Sequence, residues 1–201
     1  MSWGFNKRAL HILIASTLLV LISMITTVIV IHAEKHPNLV YINGHYVFNA
    51  TGQPIVLVNN AQAHDPSWEE LMTFLKSDMT DEQYYNESFV CTNYAEMLQN
   101  NAEAAGIRAG FVYIYFKQGI CSVPNESTVC PMVCNFAEHA CNAFQTTDKG
   151  LVYIDDTGAV SGQGVDCIAN ISVGHNYVRV PLFSNVSLCL MKEVSNFSVV
   201  W

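Results

Sequence analysis

Three kinds of side chain in this sequence have the types that catalysis by a thiol nucleophile requires: Cys91, His139, and a carboxylate at Asp155 or Asp156. A thiolate is the reactive form of cysteine, a histidine takes and returns a proton near neutral pH, and a carboxylate holds the imidazole in one tautomer. The chain has seven histidines, so histidine alone says little. His11 borders a long apolar run, and His32, His36, His45 and His64 precede the first helical pattern. His139 differs because it begins one arm of a hairpin pattern: EHACNAFQTT, a turn at Asp148-Lys149-Gly150, then LVYIDDTG. Residues equally far from a turn face each other across antiparallel arms, which makes His139 and Asp155-Asp156 neighbours within a residue or two. The turn type is not fixed by these residues, so the register leaves both aspartates open.

Cys91 sits where a thiol can be activated. Cys91, Ala95, Leu98, Ala102 and Ala105 recur at intervals of four and three, one stripe of a helix, and Gly106 stops it. Cys91 therefore lies in the first turn, where unpaired amides and the helix dipole favour negative charge. The same inward stripe also suits a buried, inert cysteine. Ahead of it, Ser67-x-x-Glu70 is a capping box that predicts a helix over 68–77, and Thr80-Asp81-Glu82-Gln83 opens a short turn. IRAGFVYIYF at 107–116 reads as a strand, and further short strands are expected near 176–183 and 194–201. Residues 34–66, with Gly44, Gly52 and Pro54, form a lead-in with one or two strands. Residues 67–201 form the main domain, with a cysteine-rich insertion at 117–137. The expected class is α+β with an antiparallel sheet.

FVCTNYAEMLQNNAEAAGIRAGFV at 89–112 resembles the nucleophile block of transglutaminase-like proteins, in which a Cys opens a helix that ends in Gly-Ile-x-Ala and runs into a strand. His139-Ala140-x-Asn142 is similar to that family's His-Ala block, and Tyr153-Ile154-Asp155-Asp156-Thr157 to its Asp-Pro-Thr block, with Asp156 in place of the Pro. The resemblance covers about 67–158. It implies a transglutaminase-like (papain-like) domain with a nucleophile helix packed on an antiparallel sheet. It further implies Cys91 as nucleophile, His139 as base and Asp155 as orienter. The implied activity is cofactor-free acyl transfer at peptide or protein amides, of peptidase, amidase or transglutaminase type.

Residues 12–31 run for 20 positions without a charge, enough for a helix to cross a bilayer core of roughly 30 Å. Lys7 and Arg8 precede it and favour a cytoplasmic N-terminus. The expectation is a cytoplasmic stub and anchor at 1–33, membrane contact through residues 9–31, and a single-pass protein at the cell membrane with its C-terminal domain extracytoplasmic. Two features agree with export. Asn49, Asn86, Asn125, Asn170, Asn185 and Asn196 each open an N-x-[ST] triplet, and all seven cysteines follow the apolar run. Seven is odd; with Cys91 as the reactive thiol, the other six can all pair as disulfides. A net charge of −8 with only nine Lys and Arg and no basic cluster in the domain disfavours nucleic acid.

Three rival readings use the same residues. Asp156-Thr157-Gly158 after LVYI matches an aspartic-protease signature, although Asp155 stands where an apolar residue is usual. Cys130-x3-Cys134 with His139 has spacing that permits zinc. A non-catalytic, glycosylated binding or adhesion domain on the same scaffold is the third.

Overall fold

The structure, a computed structural model, describes residues 38–118, 137–158, 162–186, 188 and 191–201. Helix α1 (Trp68–Ser77) opens where the capping box predicts, with Ser67 Oγ accepting the Glu70 N–H at 3.2 Å. A 3-10 turn follows at Thr80–Glu82, and helix α2 spans Cys91–Ala104. Gly106, at φ 84°, turns the chain out of α2 in the left-handed conformation that a residue with a Cβ resists.

The lead-in consists of four two-residue strands: β1 (Asn38–Leu39), β2 (Tyr41–Ile42), β3 (His45–Tyr46) and β4 (Val56–Leu57). β1 pairs with β4, and β2 with β3 through Asn43-Gly44, whose φ angles of 52° and 86° suit a primed hairpin turn. This segment folds within the unit Pro37–Trp201. The polar side of α2 holds it: Glu96 accepts the Val56 N–H at 2.8 Å, Asn100 accepts the Val58 N–H at 2.5 Å, and Glu103 accepts the Asn60 N–H at 2.9 Å. These half-buried polar groups thus satisfy a backbone too short-stranded to satisfy itself.

The rest is one antiparallel sheet of six strands in the order β10-β5-β6-β7-β8-β9. Its strands are β5 (Gly110–Phe116), β6 (Glu138–Thr146), β7 (Gly150–Asp155), β8 (Cys167–Asn170), β9 (Val178–Pro181) and β10 (Val194–Val200). Both faces are covered. Phe111 and Ala140 are buried with Ala95 of α2, with Cys91, Tyr113 and Tyr115 packed against them; Val112, Ile114, Phe116, Cys141 and Ala143 are buried with Tyr177 and Met191 on the other face. β5 therefore reads as an unbroken apolar run rather than an alternation.

Two expectations are corrected. The fold is mostly sheet, with helices of only ten and fourteen residues, and is not the α+β transglutaminase-like domain with a transmembrane helix that the sequence blocks imply. The physical reason lies after Gly106: the described segments there are short, β5 and β10 are rich in β-branched and aromatic residues, and none sustains a 3.6-residue stripe. The single-pass, extracytoplasmic placement is corrected as well. Among the described residues no helix is long and apolar enough to cross a membrane, and fourteen residues of helix reach only about 21 Å. The run at 12–31 and most of the 117–137 insertion lie outside the described residues.

Replacing Ser67 by Ala removes the α1 cap. It is expected to cost about 1 kcal/mol, or roughly 2–4 °C in Tm at this chain length, read by thermal denaturation at neutral pH.

Candidate active site

Cys91 is the first residue of α2, half-buried, and its helix is fixed to the sheet by Asn142, whose side-chain amide donates to Ala95 O at 2.8 Å. His139 is the second residue of β6, paired with Ile114, and its ring lies beside Phe116 and Tyr177 at centroid distances of 6.4 and 5.3 Å. Asp155 is the last residue of β7. The β6–β7 register pairs Asn142 with Ile154, so one step further sets Asp155 across from Cys141, two residues from His139. Alternation then puts His139, Cys141 and Asp155 on one side of the sheet and Asp156 on the other. Parity, which the turn residues leave undetermined, thus singles out Asp155.

His139 Nε2 lies 2.8 Å from Asp155 Oδ2, and the Cys91 side chain lies close enough to the imidazole to help raise its pKa. With Nε2 on the carboxylate, Nδ1 is the nitrogen that remains for the thiol. Cys91, His139 and Asp155 are therefore brought into one chain of contacts. Burial lowers the histidine's proton affinity, but the Asp155 charge and hydrogen bond, with the Cys91 contact, outweigh it and push the pKa up to about 9.

Asp155 is wholly buried. Burial alone would raise its pKa, yet the charges of His139 and Arg179 and the bonds from His139 and Thr157 hold it well below the usual carboxylate range. Oδ1 accepts the Thr157 N–H and hydroxyl at 2.8 and 2.6 Å, and Oδ2 accepts the Tyr177 hydroxyl at 2.6 Å. Arg179 Nη1 is 3.8 Å from Oδ2 and donates to Thr157 O and Oγ1 at 2.9 and 2.8 Å. Sequence reasoning does not find Tyr177, Thr157 or Arg179. Asp-x-Thr is a readable signal for a side chain bonding two residues on; nothing in the residues around 177 tells that they close over the end of β7.

Asp156 lives in the opposite environment. It is buried on the far side of the sheet, where burial and the charges of Asp166 and Asp155 push its pKa well up. Asp166 is raised to about 7, by burial first and then by Asp81. Of the Asp-Thr-Gly triplet, Asp156 is thus a sealed, proton-holding carboxyl. Gly158 packs so closely on the Gln163 carbonyl that a Cβ would stand 2.7 Å from it. Neither feature suits a carboxylate exposed to a peptide.

Cys91, Cys141 and Cys167 are free thiols, which corrects the expectation that every cysteine but Cys91 pairs. Burial, then the Asp155 charge, pushes the Cys141 and Cys167 thiols up, so both stay protonated and unreactive. Cys121, Cys130, Cys134 and Cys189 lie outside the described residues, and with them two members of the proposed zinc set. Among the described residues no group of three or more His, Cys, Asp or Glu is arranged to hold a metal ion. Compared with known proteins, the chain matches no family model, no curated protein and no solved structure.

The Asp166 shift has a stability consequence. The unfolded carboxyl releases its proton near 3.8 and the folded one near 7, so the folded state binds the extra proton between these values and stability falls as pH rises across that window. Asp166→Asn removes the ionisation. The variant is expected to melt several degrees above the parent chain at pH 8, and to lose that advantage by about pH 4, in paired thermal melts.

Proposed function

We propose that this chain performs thiol-dependent acyl transfer at amide bonds of peptides or proteins, as a peptidase or amidase or by a transglutaminase-type reaction. The observation that carries the reading is the buried 2.8 Å contact between His139 and Asp155, with the Cys91 side chain beside the same imidazole. That the same three residues sit in the blocks resembling transglutaminase-like proteins supports the chemistry independently of the fold.

In the first half-reaction the Cys91 sulfur attacks the amide carbon, and the carbonyl electron pair moves onto oxygen. Backbone amides at the start of α2 are the donors nearest that oxyanion. The C–N bond then breaks, His139 gives its proton to the leaving amine, and a thioester remains on Cys91. In the second half-reaction water, or an amine, attacks the thioester while His139 takes its proton, and the sulfur departs as thiolate. Asp155 stays ionised throughout and keeps Nε2 of His139 engaged, so that Nδ1 faces the sulfur.

Treatment of the folded, unreduced protein with iodoacetamide at pH 7 is expected to modify Cys91 and to leave Cys141 and Cys167 untouched until denaturant is added, read by peptide mass mapping. An inert Cys91 would remove the nucleophile and the proposal with it.

Because His139 keeps its proton up to about pH 9, protonation of the leaving amine should fail above that pH, giving an alkaline limb near 9 in the acylation rate. Asp155→Asn removes the charge that does most to raise the histidine. The limb should move to lower pH by about 1–3 units, with a large loss of rate, in pre-steady-state acylation profiles.

A further inference from the structure

Arg179 is a buried cation that stops short of the carboxylate beside it. Its side chain is 7% exposed, and Nη1 lies 3.8 Å from Asp155 Oδ2, an ion pair too long for a hydrogen bond. Nη1 donates instead to Thr157 O and Oγ1 at 2.9 and 2.8 Å, and the buried Nε–H finds no acceptor among the described residues. An arginine fork beside a carboxylate ordinarily closes on it with two short bonds, and a buried donor left unpaired is costly. Something therefore holds the guanidinium off.

The lone pairs of Asp155 are already taken. An ionised carboxylate offers about four acceptor sites. Oδ1 accepts the Thr157 N–H and hydroxyl at 2.8 and 2.6 Å, and Oδ2 accepts from His139 Nε2 at 2.8 Å and from the Tyr177 hydroxyl at 2.6 Å. On the oxygen that Arg179 approaches, the occupant besides the histidine is thus Tyr177. Its backbone is tied at both ends: the N–H donates to Lys192 O and the carbonyl accepts the Met191 N–H, each at 3.1 Å. Its phenol is fully buried, with the ring edge-on to His139 at 5.3 Å and to Phe116 at 6.0 Å. One side chain therefore touches both the carboxylate and the imidazole, and has little freedom to leave either.

We propose that Tyr177 is a positioning residue that reserves one oxygen of Asp155 for His139, filling the second lone pair and so holding the Arg179 guanidinium off the carboxylate. This rests on the reading of His139 as the acid and base of the reaction. A guanidinium bonded directly to Asp155 would offset the charge that keeps the imidazole protonated, and the histidine would lose the proton that it must hand to a leaving amine. Set back on Thr157, Arg179 still helps to keep Asp155 ionised without sharing its oxygen with the imidazole. The titratable groups around His139 are Asp155 on β7, Cys91 on α2, Cys141 two residues along β6, and the phenol itself, with Arg179 the fixed cation.

Tyr177→Phe keeps the ring and deletes only the hydroxyl, which frees a lone pair on Oδ2 next to Arg179. The readout is the pKa of the His139 ring in the full chain, followed by NMR titration, with the resonance assigned by its absence from His139→Gln. From about 9 in the parent chain, it is expected to fall by about 1 unit or more as the cation joins the pair. Adding Arg179→Gln to that variant should bring it back to the parent value or above. Arg179→Gln alone should raise it by less than the same change does beside Tyr177→Phe, because the two side chains act on one oxygen. An unchanged or higher pKa in Tyr177→Phe, whatever its Tm, overturns the proposal and leaves Tyr177 a core side chain; equal effects of Arg179→Gln in the two backgrounds overturn it as well. The parent chain supplies a check that needs no variant. The Tyr177 hydroxyl proton, shut off from water, should give a resolved downfield resonance with a cross-peak to the His139 ring, and its absence overturns the proposal. If iodoacetamide leaves Cys91 unmodified in all of these proteins, the acyl-transfer reading fails, while the titration still decides the role of Tyr177.

Discussion

A carboxylate kept charged with none of its surface in water is the constraint around which this protein is arranged. Isolated burial of such a group is prohibitive, and real proteins meet it with hydrogen bonds and opposite charge or let the group take up a proton. Asp155 is met on every side: His139 and Tyr177 on one oxygen, the Thr157 amide and hydroxyl on the other, and Arg179 behind. Each of these comes from a different place along the chain. β6 supplies the histidine, the exit from β7 the threonine, and the outermost strand of the sheet, with the residue before it, the arginine and the tyrosine. The sheet order is therefore also the order in which the shell around one carboxylate is assembled.

The neighbouring aspartate shows that this is a property of place and not of sequence. Asp155 and Asp156 are adjacent and chemically identical, yet one is held ionised by cations and donors while the other is pushed towards its neutral form by burial and by Asp166. The alternation of a β-strand sends the two side chains to opposite faces, and the faces differ in what they offer. Opposed protonation in a sequence-adjacent pair lets a fixed charge stand beside a histidine without spreading charge through the sheet. A pair of ionised carboxylates there would repel and would compete for the same imidazolium.

Much of this was legible from the residues, and the limits are physical ones. Cys91 at a helix start, the hairpin that carries His139 and Asp155, and the helix begun by Ser67 all rest on local signals: a stripe, a turn, a cap. The overall class was not legible, because the share of helix and sheet depends on how the short segments after Gly106 find partners. β8 (Cys167–Asn170), four residues between two glycine-containing loops, carries too little pattern to stand out. Tyr177 and Arg179 escape for a related reason: their chemistry depends on pairing between strands whose order in the sheet has no counterpart in the linear sequence.

The cysteines show how a counting argument should be replaced. An odd number of thiols singles out one residue only if all the rest are bonded, and Cys141 and Cys167 are free. What distinguishes Cys91 is surroundings. Cys141 and Cys167 are fully buried strand residues near the Asp155 charge, which together penalise their thiolates. Cys91 is half-buried, at a helix start, and in contact with a histidine that holds its proton to about pH 9. The imidazole of His139 is the group that Cys91 and Asp155 share.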